Sequence, residues 1–396
     1  MITAIFAVGI LAEHERGAKL NGFRSAYAIQ GINAFIFGVT FIVVPLLMVE
    51  RGIDVQSMGL IFAALPLVSQ FTRLLFGCVS DYTGRRLIYL VNALANTAFL
   101  AAYYLATGAV GFLTGKLFEG VKDTAIWSVN RPYFMDHVDD ERDRERALVR
   151  FRGFNSVFEA LGMMASGFLV AALAFGGTLL LLIAVSLLAL PNVAMLVDKA
   201  RQRADFGAIR RSLDIRRKGR RFKNFLGIFL MLGLSWGLLS GYIMPLFLST
   251  MGVPVQYIGL VLGVRFLFNG LSVWVFSSMW SGRRKVLVGG LLFSVAVASL
   301  GFVGYAMLPL AVVLVGMIAG MADAGYETVF VMVCDRRSLG RDMSVLMSGL
   351  HIGMAVTQAA SGFVIASVGF PAMFFAAAMM FALFSVASYK NMSLAD

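Results

Sequence analysis

Ten ionisable residues fall inside long apolar stretches of this sequence, where a charged side chain is difficult to keep. They are Arg73, Lys116, Glu119, Lys122, Asp123, Glu159, Arg265, Asp323, Glu327 and His351. Ionisable residues within membrane-spanning stretches are costly and usually functional. Without the histidine, the set holds four bases and five acids. Mutual pairing would therefore leave one carboxyl group able to bind and release a proton.

Two stretches concentrate these charges. One polar stripe in residues 109–134 has helical spacing and must face a cavity or partner helices; its members are Lys116, Glu119, Asp123, Trp127 and Asn130. With Lys122, the core of this stretch carries two bases and two acids, whereas 308–334 carries only Asp323 and Glu327, one turn apart. We predict that Asp323 or Glu327 carries a proton, and that Asp123 pairs with a lysine of its own helix or with Arg265.

Arg265 and Asn269 lie on one face of another apolar stretch and allow two interpretations. The guanidinium could clamp a carboxylate or phosphate on a substrate. It could equally neutralise Asp323 or Glu327, because an unpaired buried guanidinium is costly. Glu159 and His351 are weaker candidates, each as consistent with packing as with titration.

Motifs of known enzyme classes are missing from the sequence. It contains no His-Glu-x-x-His and no Gly-x-Ser-x-Gly, and Gly115-Lys116 lacks the remainder of a phosphate-binding loop. The three histidines and two cysteines have no metal-binding or disulfide spacing. We expect no catalytic residue, metal or cofactor. A polytopic membrane enzyme or a channel is a less favoured alternative.

The elements that must position these residues are membrane helices. Hydrophobic residues make up 59% of the 396 residues and charged residues 14%, which excludes a soluble domain. About twenty apolar residues span a bilayer core. Twelve such spans can be drawn, and their approximate ranges are 23–49, 55–79, 87–107, 109–134, 148–175, 178–197, 224–251, 255–279, 286–307, 308–334, 343–368 and 371–389. Residues 1–22 form a short N-terminal segment that is a poor signal peptide.

The net charge of +12 is concentrated between the spans and not on a nucleic-acid-binding surface. Residues 198–223 contain eleven Lys or Arg and three Asp, a net of +8. Threading the spans alternately puts nearly all basic loops on one side and leaves Arg51 on the other. The positive-inside bias therefore places both termini in the cytoplasm.

The two halves of the chain repeat each other. An offset of 200 residues aligns Pro45 with Pro245, Gly52 with Gly252, Gly59 with Gly259, Gly120 with Gly320, and Asp123 with Asp323. With a small length change, residues 165–168 match residues 360–363, both Ala-Ser-Gly-Phe. The sequence therefore predicts two six-helix bundles of the same orientation, residues 23–197 and 224–396, joined by the basic linker 198–223.

Residues 77–86, Gly-Cys-Val-Ser-Asp-Tyr-Thr-Gly-Arg-Arg, follow the second span. This pattern resembles the signature of the major facilitator superfamily, and the repeat extends the resemblance to nearly the whole chain. The resemblance implies an all-α membrane protein with twelve transmembrane helices in two pseudo-symmetric six-helix bundles. It also implies a cytoplasmic gate; its residues here are Gly77, Asp81, Gly84, Arg85, Arg86 and Asp136. Tyr82 departs from the family pattern, which usually has a base there.

The resemblance further implies that the first, fourth, seventh and tenth helices line a central cavity. The candidate cavity residues are Asp123, Asp323, Glu327, Glu119, Lys116 and Lys122, and the candidate substrate contacts are Arg265, Asn269, Gln30, Asn33, Tyr27 and Trp127. We expect a monomeric transporter of a small organic solute in the plasma (inner) membrane, working by alternating access with protons as partners. An uncoupled facilitator or a lipid flippase of the same fold is the alternative.

Overall fold

The computed structural model describes residues 18–137, 141–196, 218–276, 282–334 and 339–393. Every regular element in these ranges is a helix. The α-helices are α1 Ala18–Glu50, α2 Val55–Thr83, α3 Arg85–Leu105, α4 Ala109–His137, α5 Glu141–Leu187, α6 Ala189–Ala194, α7 Arg220–Gly237, α8 Ile243–Thr250, α9 Val255–Phe276, α10 Gly282–Arg284, α11 Gly290–Ser299, α12 Leu308–Val333, α13 Leu339–Val368 and α14 Phe370–Ser393. A π-helical turn, Lys285–Gly289, joins α10 to α11, and two 3₁₀ turns, Leu300–Phe302 and Tyr305–Met307, precede α12. The N-terminal segment up to residue 17 and most of the basic linker lie outside these ranges.

Nine helices in the described ranges are long and apolar enough to cross a membrane. One of them, Phe151–Ala194, has 44 residues, far more than a single crossing needs. The set leaves out α4, which carries buried charges, and the shorter helices α7 and α8. These helices establish an integral membrane protein.

Helix α5 folds back on itself at Ala174. This residue has φ 54° and ψ 177°, outside the helical region. Beyond it, Gly176 lies beside Tyr104, and the Ser186 hydroxyl is 2.8 Å from the Thr97 hydroxyl. After the turn, the chain therefore runs alongside α3 in the opposite direction, and α5 contains two antiparallel segments. Sequence reasoning placed this turn within a few residues, between 175 and 178.

The span predicted for residues 224–251 is divided into α7 and α8. Gly241 lies in the break with φ +70°, and Pro245 follows in the first turn of α8. Proline has no N–H and cannot bond to the carbonyl of residue 241, as a continuous helix would require. Its repeat mate Pro45 lies within unbroken α1, where Phe41 stands in place of glycine. The glycine in the left-handed conformation, Gly241, therefore determines where the helix is interrupted between α7 and α8.

The turns after α1 and α8 are repeat mates and lie at the same end of the helices. We call this end the Gly52 end. Gly52 has φ 71° and Gly252 has φ 81°, a conformation that glycine adopts without strain. Asp54 then caps α2: the Ser57 N–H and hydroxyl donate to its carboxylate at 2.8 and 2.7 Å. Both hydrogen bonds lower the pKa of the Asp54 carboxyl group from its ordinary value, and the bond from the Ser57 hydroxyl has the larger effect. We call the opposite end of the helices, where α2 meets α3, the Arg85 end.

Two glycine seams join the halves of the chain near the Gly52 end. A Cβ added to Gly59 of α2 would lie 2.7 Å from the Gln358 carbonyl oxygen of α13. A Cβ added to Gly259 of α9 would lie 2.5 Å from the Met163 carbonyl oxygen of α5. Gly59 and Gly259 are repeat mates, so the internal repeat of the sequence produces two equivalent backbone contacts.

Candidate functional site

Lys116 and Glu119 form a buried ion pair on α4. The Lys116 Nζ lies 2.7 Å from the Glu119 Oε2, and the Tyr103 hydroxyl of α3 donates to the same oxygen at 2.5 Å. The two residues are only 4% and 5% exposed. Such a pair persists in an apolar interior because the charges satisfy each other and the tyrosine occupies a further lone pair.

The Lys116 ammonium also connects the two halves of the protein. It lies 3.9 Å from the centre of the Phe62 ring of α2, within range of a cation–π interaction. The Phe62 ring packs on Tyr242, with 5.0 Å between centroids, beside the break that separates α7 from α8. The Tyr242 hydroxyl is 2.7 Å from the Ser361 hydroxyl of α13. A single ring thus touches a buried charge of one half and the helix break of the other, and we call this contact the Phe62 bridge.

A second ion pair joins Lys122 to Asp123, with 2.7 Å between Nζ and Oδ1. The Lys122 side chain is buried near the rings of Phe37 and Phe99, whereas the Asp123 side chain is 21% exposed. Of the two partners suggested for Asp123 from the sequence, the structure places a lysine of its own helix against it. Arg265 lies elsewhere.

Glu159 lies on α5, where that helix packs closely on α1. A Cβ added to Gly38 of α1 would lie 2.1 Å from the Glu159 carbonyl oxygen. Glu159 is half-buried. From the sequence, Glu159 is a weaker candidate that is as consistent with packing as with titration, and its neighbours on other helices depend on how α5 packs, which spacing along one helix cannot reveal.

Two of the predicted substrate contacts, Gln30 and Asn33, are engaged in a buried amide network. Asn130 donates to the Gln30 side-chain oxygen at 2.7 Å, and the Gln30 amide donates to Asn155. Asn33 and Asn92 exchange hydrogen bonds of 3.0 and 3.2 Å. These amides hold α1 against α3, α4 and α5.

The two aromatic residues among the predicted substrate contacts, Tyr27 and Trp127, differ in exposure. Tyr27 packs edge-on against Phe151 and Phe154, with ring centroids 5.5 and 5.2 Å apart. Trp127 is 41% exposed, one turn beyond Asp123 on α4. Of these predicted substrate contacts, Trp127 therefore presents the most accessible surface.

The second half brings Arg265, Asn269 and Asp323 together. Asn269 of α9 donates to the Asp323 carboxylate of α12 at 2.9 Å. The charge of Asp323 acts on Arg265, whose side chain runs beside Gly316 of α12. This arrangement agrees with the interpretation of Arg265 as a partner of Asp323. Glu327 lies on the same helix, and its side chain is outside the described part of the structure.

The predicted gate residues lie at the Arg85 end. Gly84 separates α2 from α3 with φ 98° and ψ 158°, which explains the need for glycine there. Arg85 begins α3, and Arg86 follows it on the exposed surface. Gly77 and Asp81 belong to the last turns of α2, and Asp136 to the last turn of α4. The Asp81 and Asp136 side chains lie outside the described part.

A polar contact between the halves escaped prediction. Gln70 of α2 donates to the Ser348 hydroxyl of α13 at 2.6 Å, and its amide oxygen is 3.3 Å from the His351 Nδ1. The sequence placed His351 in a span and gave no signal for its partner. Among the residues that the structure describes, no group of three or more His, Cys, Asp or Glu is arranged to hold a metal ion.

The fold and these contacts define a class, an α-helical integral membrane protein with buried ion pairs on α4 and amide networks between its helices. A family model described as the Major Facilitator Superfamily matches residues 26–279 and 225–392. The chain belongs to this superfamily of transporters.

Solved structures support the same fold. The crystal structure of the human organic anion transporter MFSD10 (TETRAN) is 17% identical, with 94% of this chain and 100% of that chain covered and a TM-score of 0.67. The nucleoside transporter NupG is 15% identical, with 96% and 100% covered and a TM-score of 0.76. At these identities the likeness concerns the fold. No curated relative matches the chain in sequence.

Proposed function

We propose that this protein is a secondary active transporter that moves a small organic solute by alternating access, coupled to protons. The observation that carries the proposal is the pair of glycine seams, which close the Gly52 end while buried ion pairs lie between the helices. Seams at repeat-related positions can open together when one half rocks against the other. The two similar structures are titled as transporters of organic anions and of nucleosides, which supports a small organic solute.

The arrangement that we propose has twelve spans in two bundles, residues 23–197 and 224–396, joined by the linker 198–223. The nine candidate helices supply ten passes, because the 44-residue segment folds back at Ala174. Adding α4 and the broken pair α7–α8 to these ten passes gives twelve. The repeat-mate turns at Gly52 and Gly252 support equal orientation of the two bundles.

We place both termini and the Arg85 end in the cytoplasm, with the protein in the plasma (inner) membrane. The support is the basic charge of the loops at that end. Reporters fused after Lys390 or inserted near Arg217 are expected to read cytoplasmic, and one near Gly108 external. A cytoplasmic signal at Gly108 would overturn the twelve-span count.

In the proposed cycle, the motif at the Arg85 end closes the cytoplasmic side when the Gly52 end opens. Gly84 permits the tight turn, and Arg85 and Arg86 stand at the start of α3, where acids such as Asp136 can meet them. Asp81 is the acid of the proposed latch, because a carboxylate is stabilised at the positive end of a helix.

Asp323 or Glu327 is the proposed proton carrier. The described acids of α4 have basic partners at 2.7 Å, Glu119 with Lys116 and Asp123 with Lys122. Asn269 donates a hydrogen bond to Asp323, and Glu327 adds a second acid on α12, a helix whose sequence contains two acids and no Lys or Arg. A carboxyl group that is neutral on one side of the membrane and ionised on the other carries a proton in each cycle.

The decisive experiment measures transport in proteoliposomes with an imposed pH gradient. Wild type is compared with Asp323→Asn, Glu327→Gln and Asp123→Asn. Neutralising the coupling residue should abolish gradient-driven accumulation and spare exchange of labelled for unlabelled solute. If all three variants still concentrate solute, proton coupling through these acids is excluded and an uncoupled facilitator becomes the better description.

A further inference from the structure

Three helix ends of the second half meet at the Arg85 end: the start of α7, the end of α14 and the short helix α10. The Asn224 side chain of α7 donates to the Asn391 side chain of α14 at 3.1 Å. The Arg283 guanidinium of α10 lies 4.6 Å from the centre of the Tyr389 ring of α14, within range of a cation–π interaction. Tyr389 and Asn391 flank Lys390, so these two contacts fix Lys390 beside both α7 and α10.

These helix ends carry basic residues and no acid. The bases of residues 218–224, 282–290 and 385–393 are Lys218, Arg220, Arg221, Lys223, Arg283, Arg284, Lys285 and Lys390. The other loop at this end of the second half, residues 335–342, has three Arg and two Asp, so it does not reverse the charge. Clusters of four to eight bases beside membrane helices attract anionic lipid headgroups, with a gain of about fivefold in affinity for each base. We call the eight bases the helix-end cluster.

The bases of α7 lie where the helix itself disfavours them. The first turn of α7 contains no acid, and the positive end of a helix repels bases placed there. Phe222 anchors this turn in the core and is only 7% exposed. Around it, Arg220, Arg221 and Lys223 are exposed. A bound anion would offset the repulsion among these bases and between the bases and the helix end.

Exposed apolar stripes lead from the membrane to these bases. On α14, three residues spaced four apart are 60, 49 and 47% exposed: Phe375, Met379 and Leu383. Lys390 follows Leu383 by seven residues, so the two directions differ by only about 20° on a helix of 3.6 residues per turn. On α7, the exposed Leu230 follows Lys223 by the same seven residues. A molecule that contacts both parts of this surface has apolar chains and an anionic head.

We propose that the helix-end cluster binds an anionic phospholipid, with its phosphate between Lys223 and Lys390 and its acyl chains along the exposed stripes of α7 and α14. A zwitterionic headgroup would leave the positive charge of the cluster in place. A soluble phosphate would make no use of the apolar stripes. The inference concerns the lipid around the protein and does not depend on the transported solute.

The test measures lipid retention by native mass spectrometry. The purified full-length protein in detergent is given equimolar palmitoyl-oleoyl phosphatidylglycerol and palmitoyl-oleoyl phosphatidylcholine, which share their acyl chains and differ in headgroup charge. Phosphatidylglycerol should be retained at least about tenfold more than phosphatidylcholine. Equal retention by wild type would overturn the proposal even if no variant folds.

A second measurement separates a lipid site from a site for soluble phosphate. Glycerol phosphate, which carries the anionic group without acyl chains, is added at the same concentration as phosphatidylglycerol. It should leave the amount of bound phosphatidylglycerol unchanged. Displacement of the lipid by glycerol phosphate would show that the cluster binds soluble phosphate, and the lipid assignment would be wrong.

Variants then locate the headgroup. Lys223→Gln and Lys390→Gln should each lower the preference for phosphatidylglycerol about fivefold, while Lys390→Arg, which keeps the charge, should stay within about twofold of wild type. The matched control is Arg24→Gln, which removes an exposed base from α1 at the same end of the first half and should leave the preference unchanged. Wild-type preference in both glutamine variants, or an equal loss in Arg24→Gln, would refute a site at the helix-end cluster.

Discussion

Gly59→Ala should open the Gly52 end. The added Cβ would lie 2.7 Å from the Gln358 carbonyl oxygen and 3.0 Å from the Gly362 nitrogen. Both atoms are backbone and cannot rotate away, so α2 and α13 must separate by about 0.7–1 Å to reach ordinary contact distances of about 3.5 Å. The clash exists only while this end is closed.

The magnitude follows from the cost of overpacking, about 1–3 kcal/mol for an extra methyl group in a tight contact. Alanine also favours the helix by about 0.5–1 kcal/mol, but α2 is helical in both conformations and this contribution cancels. The ratio of closed to open protein should therefore fall about 5- to 150-fold. Gly259→Ala, at the repeat mate, should act in the same direction because its Cβ meets the Met163 oxygen at 2.5 Å.

Spin labels on Glu50 and Ser367, both exposed near the Gly52 end, report the opening. The distance distribution between the labels should shift to longer values in Gly59→Ala, in a background without the native cysteines. Gly227→Ala is the control, because a Cβ there meets nothing within 4 Å. Coinciding distributions for Gly59→Ala and the control would refute the role of the seam as a closed gate.

Three further predictions concern other contacts. Phe62→Leu removes the cation–π contact with Lys116 and should raise cysteine labelling at the Gly52 end about tenfold. Phe62→Tyr keeps an aromatic ring, so its labelling should stay near that of wild type. Equal labelling in the two variants would contradict the Phe62 bridge. Asp81→Asn should increase labelling from the Arg85 end and slow transport while solute affinity stays within a few fold, and unchanged labelling would exclude the latch. Because hydrogen bonds from Ser57 lower the pKa of Asp54, its ionised form stabilises the start of α2 above the ordinary pKa of 3.8. The stability difference between wild type and Asp54→Ala should thus be constant near neutral pH and shrink as pH falls through the lowered pKa; a full difference at about pH 2 would argue against the cap.

Helix positions were predictable from the sequence because the bilayer requires long apolar stretches separated by polar turns. The span predicted for residues 109–134 corresponds to α4, Ala109–His137, and that for 55–79 to α2, Val55–Thr83. The break at Gly241 was missed, because proline occurs at both Pro45 and Pro245 and only the residue four positions earlier differs. A Cβ added to that glycine would lie 2.8 Å from the Phe62 ring of α2, a contact between the halves that the sequence does not reveal.

The sequence indicated which charged residues share a face of α4, and it did not indicate their partners on other helices. Spacing along α4 identified the stripe from Lys116 to Asn130, since one helix fixes which residues share a face. It could not show that the Tyr103 hydroxyl and the Phe62 ring complete the first ion pair. Those distances depend on the register between helices, which a single sequence does not contain.

The glycine seams also bear on the entropy of the transport cycle. Closing an interface of long side chains freezes their rotamers, at up to about 1.5–2 kcal/mol for each flexible residue. Glycine has no rotamers to lose, so Gly59 and Gly259 can meet the opposite backbone and part from it without that cost. In the proposed alternating-access cycle, the seams therefore favour rapid reopening of the Gly52 end, with a barrier set by lost van der Waals contact and not by the reordering of side chains.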